Sequence, residues 1–310
     1  MLSKILQINQ NFISTCIIIL FGISMLLSTE AVFPYLTDSL SWILVLVFVM
    51  ILVISLNATV YFQNQYFTFY LMLLAFAFYQ GHNSLGFYAG LLFLSILQSQ
   101  IIMEIRYGNA VLNSFDIGFF SGFMVLFYSP FIIFLVPLWV YYLILGKVEI
   151  SKFLMHLLGL FAFFILFIEL IAVFDWWGIW NNLYHSLTFN LFEFSTSDLF
   201  LIPILMLLTV AALDYFFNIN RHANHKKLIF FNSTISLLSA IVFLILWGGA
   251  NKEYFLLIIF PAALYLTNYM TYNKELAKKE VYLWVLIISV LLYKFNQYIA
   301  FPSLFDNITF

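Results

Sequence analysis

Cysteine is almost missing from this 310-residue sequence: Cys16 is the only one, and it sits inside an apolar run. A single thiol forms no internal disulfide, no CxxC redox pair and no Cys-ligated metal cluster, so cysteine chemistry is excluded as the function. Charge is also scarce. Only 8% of residues are Asp, Glu, Lys or Arg, whereas soluble domains carry roughly a quarter. Twelve basic against 14 acidic residues leave a net charge of -2, with no electrostatic footprint for a nucleic acid. Arginine occurs only as Arg106 and Arg221, so no bidentate clamp for pyrophosphate is available elsewhere. The GxxxxGK[ST], HExxH, GxSxG and GxGxxG motifs are absent, which removes support for ATP-driven transport and for the commonest zinc or serine hydrolase schemes.

What is present is hydrophobic. The apolar set makes up 65% of the chain, with 39 Phe and 19 Tyr, and the mean hydropathy is +1.04. A water-soluble globule is excluded. A hydrocarbon core about 30 Å thick needs roughly 20 apolar residues in helix. Eleven such stretches occur, at about 12–28, 39–57, 66–80, 85–101, 115–129, 131–146, 154–174, 199–217, 229–248, 254–270 and 281–300. They predict an all-α fold, a polytopic transmembrane helix bundle of about 11 spans forming one integral-membrane domain over 1–310. The short 66–80 and 115–129 stretches read as tilted spans or as parts of re-entrant hairpins.

Basic residues near span ends stay on the cytoplasmic side. With the N-terminus inside, Lys4, Arg106, Lys147, Lys152, Arg221, Lys226, Lys227, Lys274, Lys278 and Lys279 all fall inside. Lys252 is then outside, Lys294 lies within a span, and the C-terminus is outside. The first span lacks an A-x-A-like cleavage site, since Ser28-Thr29-Glu30-Ala31 follows it, and it reads as a retained anchor. No solenoid or inverted repeat is visible.

Ionisable groups inside a membrane are the first functional candidates. Glu169 and Lys294 sit at similar depths from the cytoplasmic side, about 24 and 20 Å at 1.5 Å per residue, which suggests an ion pair. Gln297 and Tyr298 share the face of Lys294. Such a group either locks helices together or lines a polar cavity open to the outside. The 175–198 connection is the second place. Trp176, Trp177, Trp180, Leu183, Tyr184 and Leu187 recur at helical spacing, with His185 among the polar residues between them. The pattern predicts an amphipathic interfacial helix, either a plain aromatic belt or a lid over a cavity for an amphiphilic ligand. Glu30 and Asp38 mark the first external loop. On the inner side, Glu104 with Arg106, Asp116, and Asp214 near Arg221 read as interfacial pairs or caps.

The run Asn113-Ser114-Phe115-Asp116-Ile117-Gly118-Phe119-Phe120-Ser121-Gly122, continuing through Tyr128-Ser129-Pro130 to Gly146-Lys147, resembles an uncharacterised polytopic inner-membrane family of Bacteroidota. Over residues 85–175 the order of a small-residue-rich span, Tyr-x-Pro and another span also resembles the membrane core of GT-C-type glycosyltransferases. That resemblance implies polyprenyl-phosphate sugar substrates, an acid in the first external loop, here Glu30 or Asp38, and an external lid, here 175–198. The sequence departs from that pattern in its short 29–38 loop and in having no Asp-x-Asp.

The expectation is therefore a multi-pass protein of the bacterial inner membrane that handles a polyprenyl-linked sugar or another cell-envelope lipid intermediate at the external face. If it is an enzyme, Glu30 and Asp38 are its catalytic candidates, and Lys294, Gln297, Glu169, Trp177 and His185 bind the ligand. The residues fix no cofactor, although the external acids would suit a divalent metal. A proton-coupled transporter and a non-catalytic membrane assembly factor are the rival expectations.

Overall fold

The computed structural model describes residues 36–58, 65–81, 83–107, 113–145, 150–178, 183, 187–219 and 222–298. Among them the chain is all-α. The helices are α1 (Leu36–Ala58), α2 (Tyr66–Phe78), α3 (Leu85–Tyr107), α4 (Ser114–Phe127), α5 (Leu135–Val140), α6 (Ile150–Phe174), α7 (Ile202–Phe217), α8 (Asn224–Trp247), α9 (Ile259–Tyr272) and α10 (Leu276–Tyr298). Among the described residues each expected stretch from 39–57 onward is mostly helical; the first, 12–28, lies outside the described residues. Four segments are long and apolar enough to cross a membrane: Leu85–Arg106, Ile150–Phe174, Asp198–Phe217 and Asn224–Trp247. The chain is a membrane protein.

Of the two shortest expected spans, 66–80 is interior and 115–129 is only partly buried. Helix α2 has 13 residues, about 20 Å of rise, too short for the hydrocarbon core. Twelve of those residues are buried. A helix apolar on every face is covered by protein on every face, and α2 packs against α9, of whose 14 residues 11 are buried. Helix α6 is the opposite case. Its buried residues are His156, Gly159, Phe163, Phe167 and Ile171, a single stripe at steps of three and four, while Leu158, Phe161, Ile165 and Val173 are exposed.

That stripe meets α4 at glycines. A methyl group built on Gly118 would lie 2.0 Å from the carbonyl oxygen of His156, one on Gly159 would lie 2.0 Å from that of Phe115, and Gly122 faces the Phe163 ring. Lipid tails are as apolar as side chains, so helices in a membrane associate by close packing, and small residues permit the approach. Asn113 and Asp116 cap α4 reciprocally, as the capping expectation for Asp116 required. Helix α6 ends with Asp175 in the left-handed region, φ 56°, and Trp176 donates its N–H to the Ile171 carbonyl at 3.0 Å. This is a helix stop in which Asp takes the place usually given to Gly.

Candidate functional site

The α2–α3 connection must satisfy backbone groups that no helix pairs, and irregular backbone within a membrane protein is tolerated only where protein supplies partners. Glu253 supplies them. Its Oε1 accepts the N–H of Gln80 at 2.5 Å and that of Gly81, and its Oε2 accepts the N–H of Asn83 at 2.8 Å. The Tyr88 hydroxyl lies 2.8 Å from both carboxylate oxygens. Gly81 holds φ 80°, a conformation suited to glycine, which lets consecutive amides converge on one acceptor. Glu253 is fully buried.

Lys294 reaches the same connection from α10. Its Nζ donates to the Tyr79 carbonyl at 2.5 Å and lies 5.6 Å from the centre of the Phe76 ring. The carboxylate that acts on it electrostatically is Glu253. Tyr79 in turn bonds Ser41 of α1 at 2.9 Å, so α1, α2, α3, the 252–257 turn and α10 are tied at one end of the bundle.

The neighbouring residue, Lys252, ties in a further segment. Its Nζ pairs with Asp198 Oδ2 at 2.8 Å, donates to the Glu193 carbonyl and lies 4.1 Å from the Phe192 ring centre. Asp198 also accepts from the backbone N–H and hydroxyl of Ser195. Residues 189–195 form no helix. Asn190, Phe192 and Glu193 donate N–H groups to the carbonyls of Leu246, Ile245 and Gly249. The exposed carbonyls at the end of α8 need donors, and this segment provides them. Of the expected interfacial helix, Trp177, Gly178 and Leu183 are helical and 179–182 and 184–186 lie outside the described residues; beyond Leu187 the backbone serves α8.

Beneath this connection lies an apolar groove of about 170 Å³, lined by Val125, Leu126, Ser129, Ile132, Phe164, Leu183 and Leu187. Leu183 packs against Phe163, Phe167 and Ile171 of α6. The Leu187 carbonyl accepts from the Trp247 indole at 3.3 Å. Behind the groove an aromatic wall leads to Glu253: Tyr128 and Tyr254 share a hydroxyl contact of 2.5 Å, and both rings pack on Phe87 and Phe243.

The sequence candidates divide cleanly. Lys294 belongs to this site. Glu169 does not join it. It is exposed on α6 with the exposed residues Ile165, Leu166, Ile168 and Leu170 around it, whereas Lys294 is buried against the Tyr79 carbonyl. Equal depth does not imply a shared face, and the α6 stripe that faces protein omits position 169. Trp177 is exposed just past the end of α6, as a belt residue would be. Glu30 and His185 lie outside the described residues. Asp38 falls in the first turn of α1 and Gln297 in the last turn of α10, their side chains outside the description. Among the described residues no three His, Cys, Asp or Glu side chains gather to hold a metal. At the other end of the bundle Glu104 pairs with Lys152 at 2.9 Å. Glu253, Tyr88 and Asn83 escaped notice. The signal was the polar stretch Gln80-Gly81-His82-Asn83-Ser84, whose amides needed an acceptor from elsewhere.

Bundle and site together define a polytopic α-helical membrane protein with a buried carboxylate–ammonium clasp at one end. The chain belongs to the family of unknown function DUF6427, which it matches over residues 1–302. No curated protein and no solved structure matches it.

Proposed function

We infer that this is an integral protein of the bacterial inner membrane, N-terminus inside and C-terminus outside, that seats the hydrocarbon part of a cell-envelope lipid intermediate at the external face. The observation that carries this reading is the groove walled by Val125, Leu126, Ile132, Phe164, Leu183 and Leu187, in which Ser129 is the one polar side chain. Such a wall accepts an isoprenoid or acyl chain by burial alone, at about 25 cal/mol per Å² of apolar surface. The connection that closes it is pinned through Lys252 and Trp247, and Trp176 and Trp177 beside it suit a headgroup region. The orientation is supported by Arg106, Lys152, Lys226, Lys227, Lys274, Lys278 and Lys279, which fall at helix ends opposite the clasp.

In the GT-C-like version of this reading the ligand is a polyprenyl-phosphate sugar, and Glu30 or Asp38 acts as base or metal ligand. Lys294 is buried and committed to the Tyr79 carbonyl, so catalysis would rest on those two acids and not on the lysine. The test is photocrosslinking of a diazirine-bearing polyprenyl phosphate to the purified chain in nanodiscs. Labelling within 125–132 and at Phe164 is expected, and Leu126→Trp and Leu187→Trp, which fill the groove, should suppress it. No labelling above a soluble phosphate control overturns the reading. Turnover of polyprenyl-phosphate sugars by wild type, Glu30→Ala and Asp38→Ala separates enzyme from binding protein.

A proton-coupled carrier is the second reading, favoured by the short enclosed helices α2 and α9, whose non-helical ends meet at Glu253 inside the bundle. It predicts substrate flux in vesicles that follows an imposed proton gradient and is lost in Glu253→Gln.

A further inference from the structure

At the end of the bundle opposite the clasp, a pocket of about 430 Å³ opens between the end of α7, the α7–α8 connection, the end of α9 and the start of α10. It is separate from the lipid groove and independent of that proposal. Its volume falls within the range of small-molecule sites.

Three features give it the chemistry of a site. First, Asn268 is 1% exposed, and its Oδ1 has no hydrogen-bond partner. A buried polar atom left without a partner is costly, and the pocket is where one can be supplied. Second, His222 is fixed between Tyr215, stacked at 5.1 Å and 8°, and Tyr272 at 5.2 Å, while its Nε2 lacks a partner. Third, Lys274 and Lys278 line the pocket, and the only other charged residue lining it is Asp214, which already accepts from Asn218 at 3.2 Å. Lys278 pairs with Glu275 at 2.9 Å, but both side chains are about three-fifths exposed, and an exposed pair of this kind is readily exchanged for another anion. Lys226, held over the Tyr272 ring at 4.3 Å, adds positive potential from behind.

The two ends of the pocket therefore ask for different things. The lysines call for an anion, and the oxygens of Asn268 and Asp214 call for hydrogen-bond donors. We propose that this pocket binds a hydroxylated phosphate ester, its phosphate on Lys274 and Lys278 and its hydroxyl groups donating to Asn268 Oδ1 and Asp214. A soluble sugar or glycerol phosphate carries that chemistry, and so does the headgroup of phosphatidylglycerol. Inorganic phosphate lacks the carbon-borne hydroxyls, and a site built to hydrogen-bond them rejects the analogue without them.

The experiment uses the full chain in detergent and in nanodiscs. Glycerol 3-phosphate and inorganic phosphate are titrated by calorimetry, and phosphatidylglycerol is compared with phosphatidylcholine by native mass spectrometry. At least tenfold tighter binding of glycerol 3-phosphate than of inorganic phosphate is expected if the source is soluble; selective retention of phosphatidylglycerol is expected if the source is lipid. Lys274→Gln with Lys278→Gln, both at the surface, should weaken either ligand at least tenfold with the melting temperature unchanged. Asn268→Leu should abolish the preference over inorganic phosphate. Binding of neither ligand, equal binding of both phosphates with no lipid selectivity, or insensitivity to the lysine substitutions overturns the proposal.

Discussion

Glu253 and Lys294 hold one short connection by its two kinds of backbone group: the carboxylate takes the N–H groups of Gln80, Gly81 and Asn83, and the ammonium donates to the carbonyl of Tyr79. Both side chains are buried. Removing either side chain leaves buried backbone groups of the connection without a partner, which costs about 1–3 kcal/mol. Glu253→Leu and Lys294→Met are each expected to lose that much stability in detergent. The double variant should lose less than the sum, because both side chains brace the same connection and it is released once. Additive losses in a thermal or denaturant cycle would mean that the two groups act independently.

The α4–α6 seam has no room for a side chain at Gly118 or Gly159, where an added methyl group would meet a carbonyl oxygen at 2.0 Å. Gly118→Ala and Gly159→Ala are expected to cost about 1–3 kcal/mol each, as overpacking does. Leucine at either place should prevent the two helices from docking. Cysteine crosslinking between α4 and α6 across each variant measures it.

Lys252 fixes the 187–201 segment through Asp198, the Glu193 carbonyl and the Phe192 ring. Lys252→Met should leave the helices intact but speed amide hydrogen exchange at Asn190, Phe192 and Glu193 at least tenfold, since local opening no longer breaks those contacts. Unchanged exchange at these amides would show that the bonds to the end of α8 hold the segment alone.

Acid should weaken the α7–α8 junction. Burial holds the His222 imidazole below its ordinary value of 6.5; Lys226 and Lys227 of α8 push the same way, and Asp214 of α7 opposes them. The Tyr272 ring of α9 covers another side. A base depressed in the folded chain binds protons more readily once unfolded, so its stability contribution is full above pH 6.5 and declines as pH falls toward the lowered folded value. Melting curves between pH 7.5 and 5.5 should show a smaller acid loss for His222→Gln than for wild type.

Much of the architecture was legible because lipid solvation writes itself into composition: among the described residues each apolar stretch from 39–57 onward is mostly helical, and Pro130, at the start of a 3₁₀ turn, divided 115–146 where the sequence suggested. Lys294 was legible too, since a cation in an apolar run has few explanations. Its partner was not. Glu169 matched it in depth, but depth is one coordinate, and the face of α6 that meets protein is set by where Gly118 and Gly159 let helices approach. Glu253 drew no expectation, because nothing local signals that three amides some 170 residues earlier need its oxygens. The role of the residues that follow Leu187 was hidden for a similar reason: nothing local shows that the N–H groups of Asn190, Phe192 and Glu193 serve carbonyls at the end of α8.

The separation between Gln80 and Glu253, 173 positions along the chain, also has a temporal meaning. At 5–20 residues per second the ribosome takes roughly 10–30 s to make the intervening polypeptide. Throughout that interval the amides of the α2–α3 turn lack their acceptor, and α2 lacks α9 as its cover. The nascent protein must wait, half inserted, under the watch of insertases and proteases, and a truncation ahead of Glu253 would strand that turn permanently and mark the product for destruction.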